Sequence, residues 1–295
     1  MVVVTLTGGL GNQLFQYTIG KQLAIKNETT LKLYIANLGV EDGRSYKLNH
    51  YNIDEVLATE SEVEKLIGEY YSSSLYAKIY RKIDSYRPKY KRKYYVEDEN
   101  WRFEPEVMKV SSNVLLEGFW QHHKYYEKLD ATILGELTLK KEETFTVKSL
   151  KDIEKDSTSV SLHIRRGDYV SDLNNASYFG VMPLHYYQKA VEHVNSQIKN
   201  PNFYIFSDDL DWAKDNLKMH VPMTFVDVEG GKKDYLELDA MSHCRHNIIA
   251  NSTFSWWAAF LNKNPDKIVI APEKWVVSEE MNKGIHIQFP SWIKL

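Results

Sequence analysis

Val160-Ser161-Leu162-His163-Ile164-Arg165-Arg166-Gly167-Asp168-Tyr169, residues 160–169, is the stretch from which the fold can be read. Val160, Leu162 and Ile164 alternate with small or polar residues, the pattern of a strand nearing its end. His163, Arg165, Arg166 and Asp168 arrive where that strand gives way to a glycine turn. Two adjacent arginines at such an exit can make several charge-assisted hydrogen bonds to a phosphate group. Asp168 can orient one of them or take part in proton transfer. The alternative for the same residues is a surface cluster of salt bridges.

Downstream, strands and helices alternate. Pro183 precedes a helical stretch at Leu184–Ile198, and Phe203–Phe206 reads as a strand that ends in Ser207-Asp208-Asp209. Acidic residues at a strand's carboxyl end stand where α/β proteins place ligands. Asp208 and Asp209 can hold Mg²⁺ beside a diphosphate, or the next helix is capped through Ser207 or Asp208; the cap is the favoured reading. Met223–Val226 is a short strand, Asp234–His243 a helix, and Asn247–Ala250 a strand. Asn251-Ser252-Thr253-Phe254-Ser255 then turns into a helix through Trp256 and Trp257. Hydroxyls and free N–H groups at a helix N-terminus suit a phosphate, and they equally describe an ordinary Ser/Thr cap. Lys267–Ala271 is the last strand of this half.

Upstream, Val2–Leu6 reads as a buried strand, Thr7-Gly8-Gly9-Leu10-Gly11-Asn12 as a glycine loop, and Gln13–Lys26 as a helix with a rough apolar face. Strand, glycine loop and helix in that order suggest a Rossmann-like unit. The spacing is not G-x-G-x-x-G and carries no P-loop Lys-Ser/Thr, so a plain tight turn is the alternative. Leu31–Ile35 is a second strand and Asn113–Glu117 another, with Gly118-Phe119-Trp120-Gln121 as its exit. His122 and His123 are adjacent, without carboxylates at ligand spacing, which argues against zinc. Between these strands, Lys78 to Lys93 holds eight basic residues and Tyr70 to Tyr95 eight tyrosines. Solvated helix and loop, a sugar-binding surface and contact with anionic lipid headgroups all fit that composition.

A chain of 295 residues suffices for one large core or two domains. The charged, apolar-poor segment 135–158 suggests a link between two. The expected division is 1–150, 151–280 and a C-terminal tail 281–295 that packs back on the first domain. A net charge of −3 argues against wholesale nucleic-acid binding. Cys244 is the single cysteine, which excludes an intrachain disulfide framework and favours a reducing compartment. The opening lacks the basic, long apolar pattern of a signal peptide, and no apolar run approaches ~18 residues. A cytoplasmic protein with peripheral contact to the inner face of the membrane is the resulting expectation.

Three segments taken together resemble the bacterial branch of the α-1,2-fucosyltransferase family, glycosyltransferase family 11. They are Gly8-Gly9-Leu10-Gly11-Asn12-Gln13-Leu14-Phe15-Gln16-Tyr17, the His163-x-Arg165-Arg166-x-Asp168 segment, and Met241-Ser242-x-Cys244 through Ile248–Trp257. Phe119-Trp120-Gln121 and Phe206-Ser207-Asp208-Asp209 are also family-like. The resemblance implies an α/β fold of GT-B type, two Rossmann-like domains facing a central cleft, with the donor in the second domain. It implies GDP-fucose as donor, no metal or other cofactor, inversion at the fucose anomeric carbon, and a galactose 2-hydroxyl as acceptor, in a glycan that can be lipid-linked. Carried over, Arg166 grips the diphosphate and Arg165 assists. His163 lies near the nucleoside. Asp208, Asn251, Ser252, Thr253 and Ser255 join the donor site, with the hydroxyls at the phosphates. Gly9, Gly11 and Asn12 line the site from the first domain. The guanine-reading acid falls on Glu237 where the family commonly has Asp, with Asp239 two residues on as the alternative. Asp168 stands as the candidate base. Fucose transfer to N-acetylglucosamine or to a protein hydroxyl, and glycan binding without catalysis, are the competing classes.

Overall fold

The computed structural model describes residues 1–39, 44–98, 101–144, 148–231 and 233–295. They form two compact units, Met1–Thr138 and Leu139–Leu295. The division falls inside the charged stretch 135–158, upstream of the 150/151 boundary expected from composition.

In the first unit, β1 (Val2–Thr5), β2 (Leu31–Tyr34), β3 (Tyr94–Val96) and β4 (Val114–Glu117) make a parallel sheet in the order β2-β1-β4-β3. Val2, Val3 and Val4 have no exposed surface. Their unbroken apolar run is therefore that of a strand covered on both faces. Helix α1 (Leu10–Lys26) follows β1 directly. Helix α2 (Glu60–Tyr71) packs Val63, Leu66 and Ile67 against Val3 and Leu115. It starts at a capping box: the Thr59 hydroxyl accepts from the Glu62 N–H while the Glu62 carboxylate accepts from the Thr59 N–H. Helix α3 (Leu75–Ser85) comes next, with Ser74 as its cap. Strand β3 is not announced by the sequence, because it is three residues long, at a sheet edge, and set in the basic run. His122 and His123 lead into a single 3₁₀ turn, His123–Tyr125, rather than a helix.

In the second unit, β5 (Ser159–Ile164), β6 (Asn202–Ser207), β7 (Met223–Phe225), β8 (His246–Ile248), β9 (Val269–Ala271) and β10 (Ile293–Lys294) form a parallel sheet ordered β10-β9-β8-β5-β6-β7. Every residue of β5 is buried, between β8 and β6, so its exit opens onto the middle of the sheet's carboxyl edge. The short helix α4 (Gly167–Ser171) starts at that exit. Helix α5 (Leu184–Gln197) brings Tyr187, Ala190 and Val194 onto Val160, Leu162 and Phe203. Helices α6 (Leu210–Asn216), α7 (Asp234–His243) and α8 (Thr253–Leu261) carry the remaining site residues. Two parallel sheets with interleaved helices are the architecture expected of a GT-B-type chain.

Residues 281–295 belong to the second unit and complete its sheet: Ile293 pairs with Ile270 to form β10. The cause is aromatic. Phe289 stacks on Trp256 and Phe260 of α8 at ring separations of 5.7 and 5.8 Å, and Trp256 Nε1 donates to the Ile287 carbonyl at 2.8 Å.

Candidate active site

The residues at the exit of β5 divide their work. Arg165 is half-buried, and its two terminal nitrogens are held by carboxylates: Nη2 on Asp168 Oδ1, and Nη1 on Asp208 Oδ2 at 2.8 Å. Burial alone would lower its pKa; the carboxylates of Asp208 and Asp168 outweigh that and raise it. Arg166 stands differently. Its backbone N–H donates to Asp208 Oδ1 at 2.8 Å, its Nε donates to Asp209 Oδ2 at 3.0 Å, and its guanidinium lies 3.8 Å from the centre of the Trp212 ring. Stacking and one ion pair fix the plane of the group, while both terminal nitrogens carry no hydrogen bond among the described residues. Of the two arginines, Arg166 is the one with a free fork.

The acidic pair after β6 is thereby explained. Asp208 binds Arg165 and the Arg166 backbone. Asp209 caps α6 by accepting from the Trp212 N–H at 3.2 Å, and its own N–H donates to the Ser207 hydroxyl. The cap is therefore Asp209, not Ser207 or Asp208 as the sequence suggested, because the Ser207 hydroxyl is turned to the Asp209 amide. Asp168 pairs with Arg165. Among the described residues, no group of three or more His, Cys, Asp or Glu side chains is placed to hold a metal ion.

Gly167 makes this arrangement sterically possible. A Cβ added there would sit 2.5 Å from Asp208 Oδ2. Gly167→Ala is expected to displace the Asp208 carboxylate, loosen both arginines and cost about 1–3 kcal/mol of stability. Urea unfolding and donor binding check this together; an alanine variant equal to the parent in both would show that the loop has room to spare.

The second strand exit faces the same edge. The Tyr169 hydroxyl donates to the Asn251 carbonyl at 3.1 Å, tying the two loops together. Asn251 is buried, and its Nδ2 donates to the carbonyls of Phe179, Gly180 and Trp275. It organises the loop, and its Oδ1 has no partner. Ser252 caps α8, accepting from the Phe254 N–H at 3.3 Å, and the buried Ser255 hydroxyl turns back to the Ser252 carbonyl at 3.4 Å. Thr253 is the hydroxyl of the three that makes no hydrogen bond among the described residues. His163 is buried under Phe254, with ring centres 5.5 Å apart, and its Nδ1 is unpartnered. Burial, with Arg165 adding to it, pulls His163 down to about 3, so its imidazole is neutral near pH 7.

The two acids of α7 point to different surroundings, as residues two apart on a helix must. Glu237 is 7% exposed, has no hydrogen-bond partner among the described residues, and feels the carboxylates of Asp234, Asp227 and Asp208. Burial first, then those charges, push it up to about 8. Asp239 instead pairs with His243 at 3.6 Å, near Glu154 and Lys263. Glu237 is thus the acid on the side of the Asp208 loop.

In the first unit, Gly8 has a φ of +74°, and a side chain there would collide with Asn12. Gly9 is the N-cap of α1 and Gly11 lies buried in its first turn. Asn12 Oδ1 accepts from Gln121 Nε2 at 2.9 Å, so the glycine loop after β1 is joined to the exit of β4.

All 295 residues, 1–295, match the profile of Glycosyl transferase family 11. The chain belongs to this family. The family 11 chain is 30% identical over 291 residues to an alpha-1,2-colitosyltransferase of Escherichia coli, covering 96% of this chain and 94% of the relative. To the galactoside 2-alpha-L-fucosyltransferase SEC1 of Bos taurus it is 29% identical over 154 residues, 50% of this chain and 42% of that protein. Its fold is similar to that of the fucosyltransferase NodZ from Bradyrhizobium, with a TM-score of 0.51 at 15% identity over 87% of this chain and 91% of that one.

Several site residues of this family 11 glycosyltransferase escaped the sequence reading. Trp212, the platform under Arg166, is a lone aromatic in the first turn of a polar helix. Gln13 and Gln16 are buried in α1. The Gln13 side chain bonds the backbone of Gly8, Ser45 and Lys47, and Gln16 bonds Thr7 and the Gly118 carbonyl. Two glutamines at i, i+3 on the apolar side of α1 were the available signal, and they account for its rough amphipathicity. Glu97 is the third case. Its Oε2 accepts from the N–H groups of both Phe119 and Trp120 at 2.7 Å, holding Trp120 at a φ of +58°.

Proposed function

We propose that the enzyme transfers L-fucose from GDP-β-L-fucose to the 2-hydroxyl of a galactose residue, with inversion at the anomeric carbon. The observation that carries this is the guanidinium fork of Arg166, whose terminal nitrogens make no hydrogen bond among the described residues, in the β5 loop at the carboxyl edge of a parallel sheet, with the α8 loop following the adjacent strand β8. As the acceptor oxygen bonds to the fucose C1, the C1–O bond to the β-phosphate breaks and negative charge grows on the leaving diphosphate. In this reading Arg166 and the N–H groups of α8 stabilise that charge. Arg165 and Asp208 hold the Arg166 backbone in position and Thr253 offers a hydroxyl to the phosphates. Glu237, as a carboxylate, accepts from the guanine N1–H and N2–H₂ groups. Asp168 serves by holding Arg165. The likeness to a galactoside 2-alpha-L-fucosyltransferase supports both sugar and linkage.

A second reading has its own support. A relative that matches over nearly the whole chain is an alpha-1,2-colitosyltransferase, which supports colitose as an alternative donor sugar. The test is incubation with GDP-fucose, and separately with a nucleotide-activated colitose, against galactose-ended and N-acetylglucosamine-ended glycans. Linkage analysis of the product follows. A fucosyl-α-1,2-galactose product is expected, undiminished by EDTA, because cationic and helix-end donors neutralise the diphosphate. Exclusive colitosyl transfer would establish the second reading. Loss of activity on chelation, restored by Mg²⁺ or Mn²⁺, would return Asp208 and Asp209 to the role of ligands.

A further inference from the structure

Helix α3 of the first unit carries an apolar stripe that nothing in that unit covers. Leu75, Tyr76, Ile79, Ile83 and Tyr86 are 74, 70, 51, 56 and 80% exposed. At ~100° per residue all five fall within an arc of about 100°. Single exposed apolar residues are ordinary on a protein surface; a continuous stripe of large ones is not. The opposite side of the helix is anchored. Ala77 and Asp84 are buried, Asp84 accepts from the Tyr70 hydroxyl and pairs with Arg87 at 3.3 Å, and Arg81 donates to the carbonyls of Tyr70 and Ser72. The stripe is thus held outward by fixed contacts.

We propose that this helix docks the enzyme flat on an anionic lipid surface, with the stripe in the headgroup–acyl boundary. Charge complementarity favours lipid over other occupants. Exposed Lys78 and Lys82 run along one border of the stripe, and the only acidic residue of the helix is the buried Asp84. Tyr76 and Tyr86 stand near the two ends, where amphipathic rings suit an interface. The basic run that follows contributes less than its composition suggests. Lys89 is bound to Asp98 and Glu104 at 3.0 and 2.6 Å, and Arg92 donates to the carbonyls of Ser85 and Arg87. Lys91 and Lys93 remain exposed there. The docking charge therefore sits on Lys78, Lys82, Lys91 and Lys93, and replacing Lys89 or Arg92 would damage the fold instead. This inference is independent of the identity of donor and acceptor.

Sedimentation of the full chain with vesicles of phosphatidylcholine, with and without 30% phosphatidylglycerol, tests it. The parent should bind the anionic vesicles and lose most of that binding at roughly 0.5 M salt. Leu75→Ser/Ile79→Ser/Ile83→Ser should weaken binding by about tenfold or more, and Lys78→Gln/Lys82→Gln by several-fold with a shallower salt dependence. Circular dichroism and turnover on a soluble acceptor should stay unchanged in both, since none of these residues belongs to the donor site. Failure of the parent to bind anionic vesicles, or equal binding by all three proteins, would overturn the proposal. So would size-exclusion data showing a dimer that the serine variant converts to a monomer, which would assign the stripe to a second copy of the chain.

Discussion

Arg166→Ala is expected to lower kcat/KM for the donor by about 10²-fold, the effect of removing one preorganised charged contact of ~2–4 kcal/mol, while the protein stays folded. The fold should tolerate the change. The variant gives up one ion pair to the partly exposed Asp209 and a stack on Trp212, and its terminal nitrogens support no other part of the structure. Arg166→Lys should recover only part of the loss, because an ammonium keeps the charge but not the planar fork or the stack. Arg165→Ala is the instructive contrast. It leaves Asp168 and Asp208 side by side without their shared cation, so roughly 3 kcal/mol or more of stability should go with it. Activity would then fall for a structural reason visible in the melting curve. Steady-state kinetics and thermal unfolding on the three variants separate these cases. A folded Arg166→Ala enzyme with parental kinetics would remove Arg166 from the diphosphate site.

Glu237→Gln is expected to weaken GDP binding by about tenfold or more near pH 8.5, since a buried carboxylate accepting from two guanine donors is replaced by a neutral amide. The pH dependence gives the sharper test. In the free protein, burial and the neighbouring Asp234, Asp227 and Asp208 raise Glu237 to about 8, so it holds a proton at pH 7. Guanine N1–H and N2–H₂ need an acceptor, so the ligand selects the ionised form and binding must expel that proton. GDP affinity should therefore rise with pH below about 8, by up to tenfold per unit, and level off above it. The free protein behaves in the opposite sense. Its Glu237 pKa lies above that of the unfolded chain, so this group's contribution to stability is complete in acid and is lost as the pH climbs through about 8. Calorimetry in buffers of different ionisation enthalpy should detect proton release on binding to the parent and none with Glu237→Gln. Asp239→Asn should leave GDP affinity unchanged, as Asp239 is engaged with His243. A pH-independent affinity in the parent would exclude Glu237 as the guanine acceptor.

How far the sequence alone could lead is clear from these same residues. The strands around the site were readable because buried parallel strands are nearly continuous apolar runs, and the charged residues at their ends stood out against them. That Glu237 and Asp239 diverge follows from helix geometry; which of them meets the donor side depends on how α7 is rolled against the sheet, a tertiary matter. Arg165 and Arg166 are indistinguishable in sequence. Their difference is made by Asp208 and Asp209, carried in from β6 more than forty residues away. The same distance hid the assignment of the helix cap. Strands β3 and β10 were missed because each is a short segment whose conformation is set by the edge it joins, not by its own propensity.

The buried glutamines of α1 bear on how stiff the glycine loop of the first unit is. Glycine-rich loops are commonly pictured as pliable, yet here Gln13 and Gln16 tether Thr7, Gly8, Ser45, Lys47 and Gly118, and Asn12 is locked to Gln121. Gly8, with a φ of +74°, gives the loop the room it needs beside Asn12, and the amides supply stiffness. Under the proposed function, a loop already cast in its bound shape would surrender little chain entropy on binding, leaving more of the contact energy to hold a sugar in register for reaction.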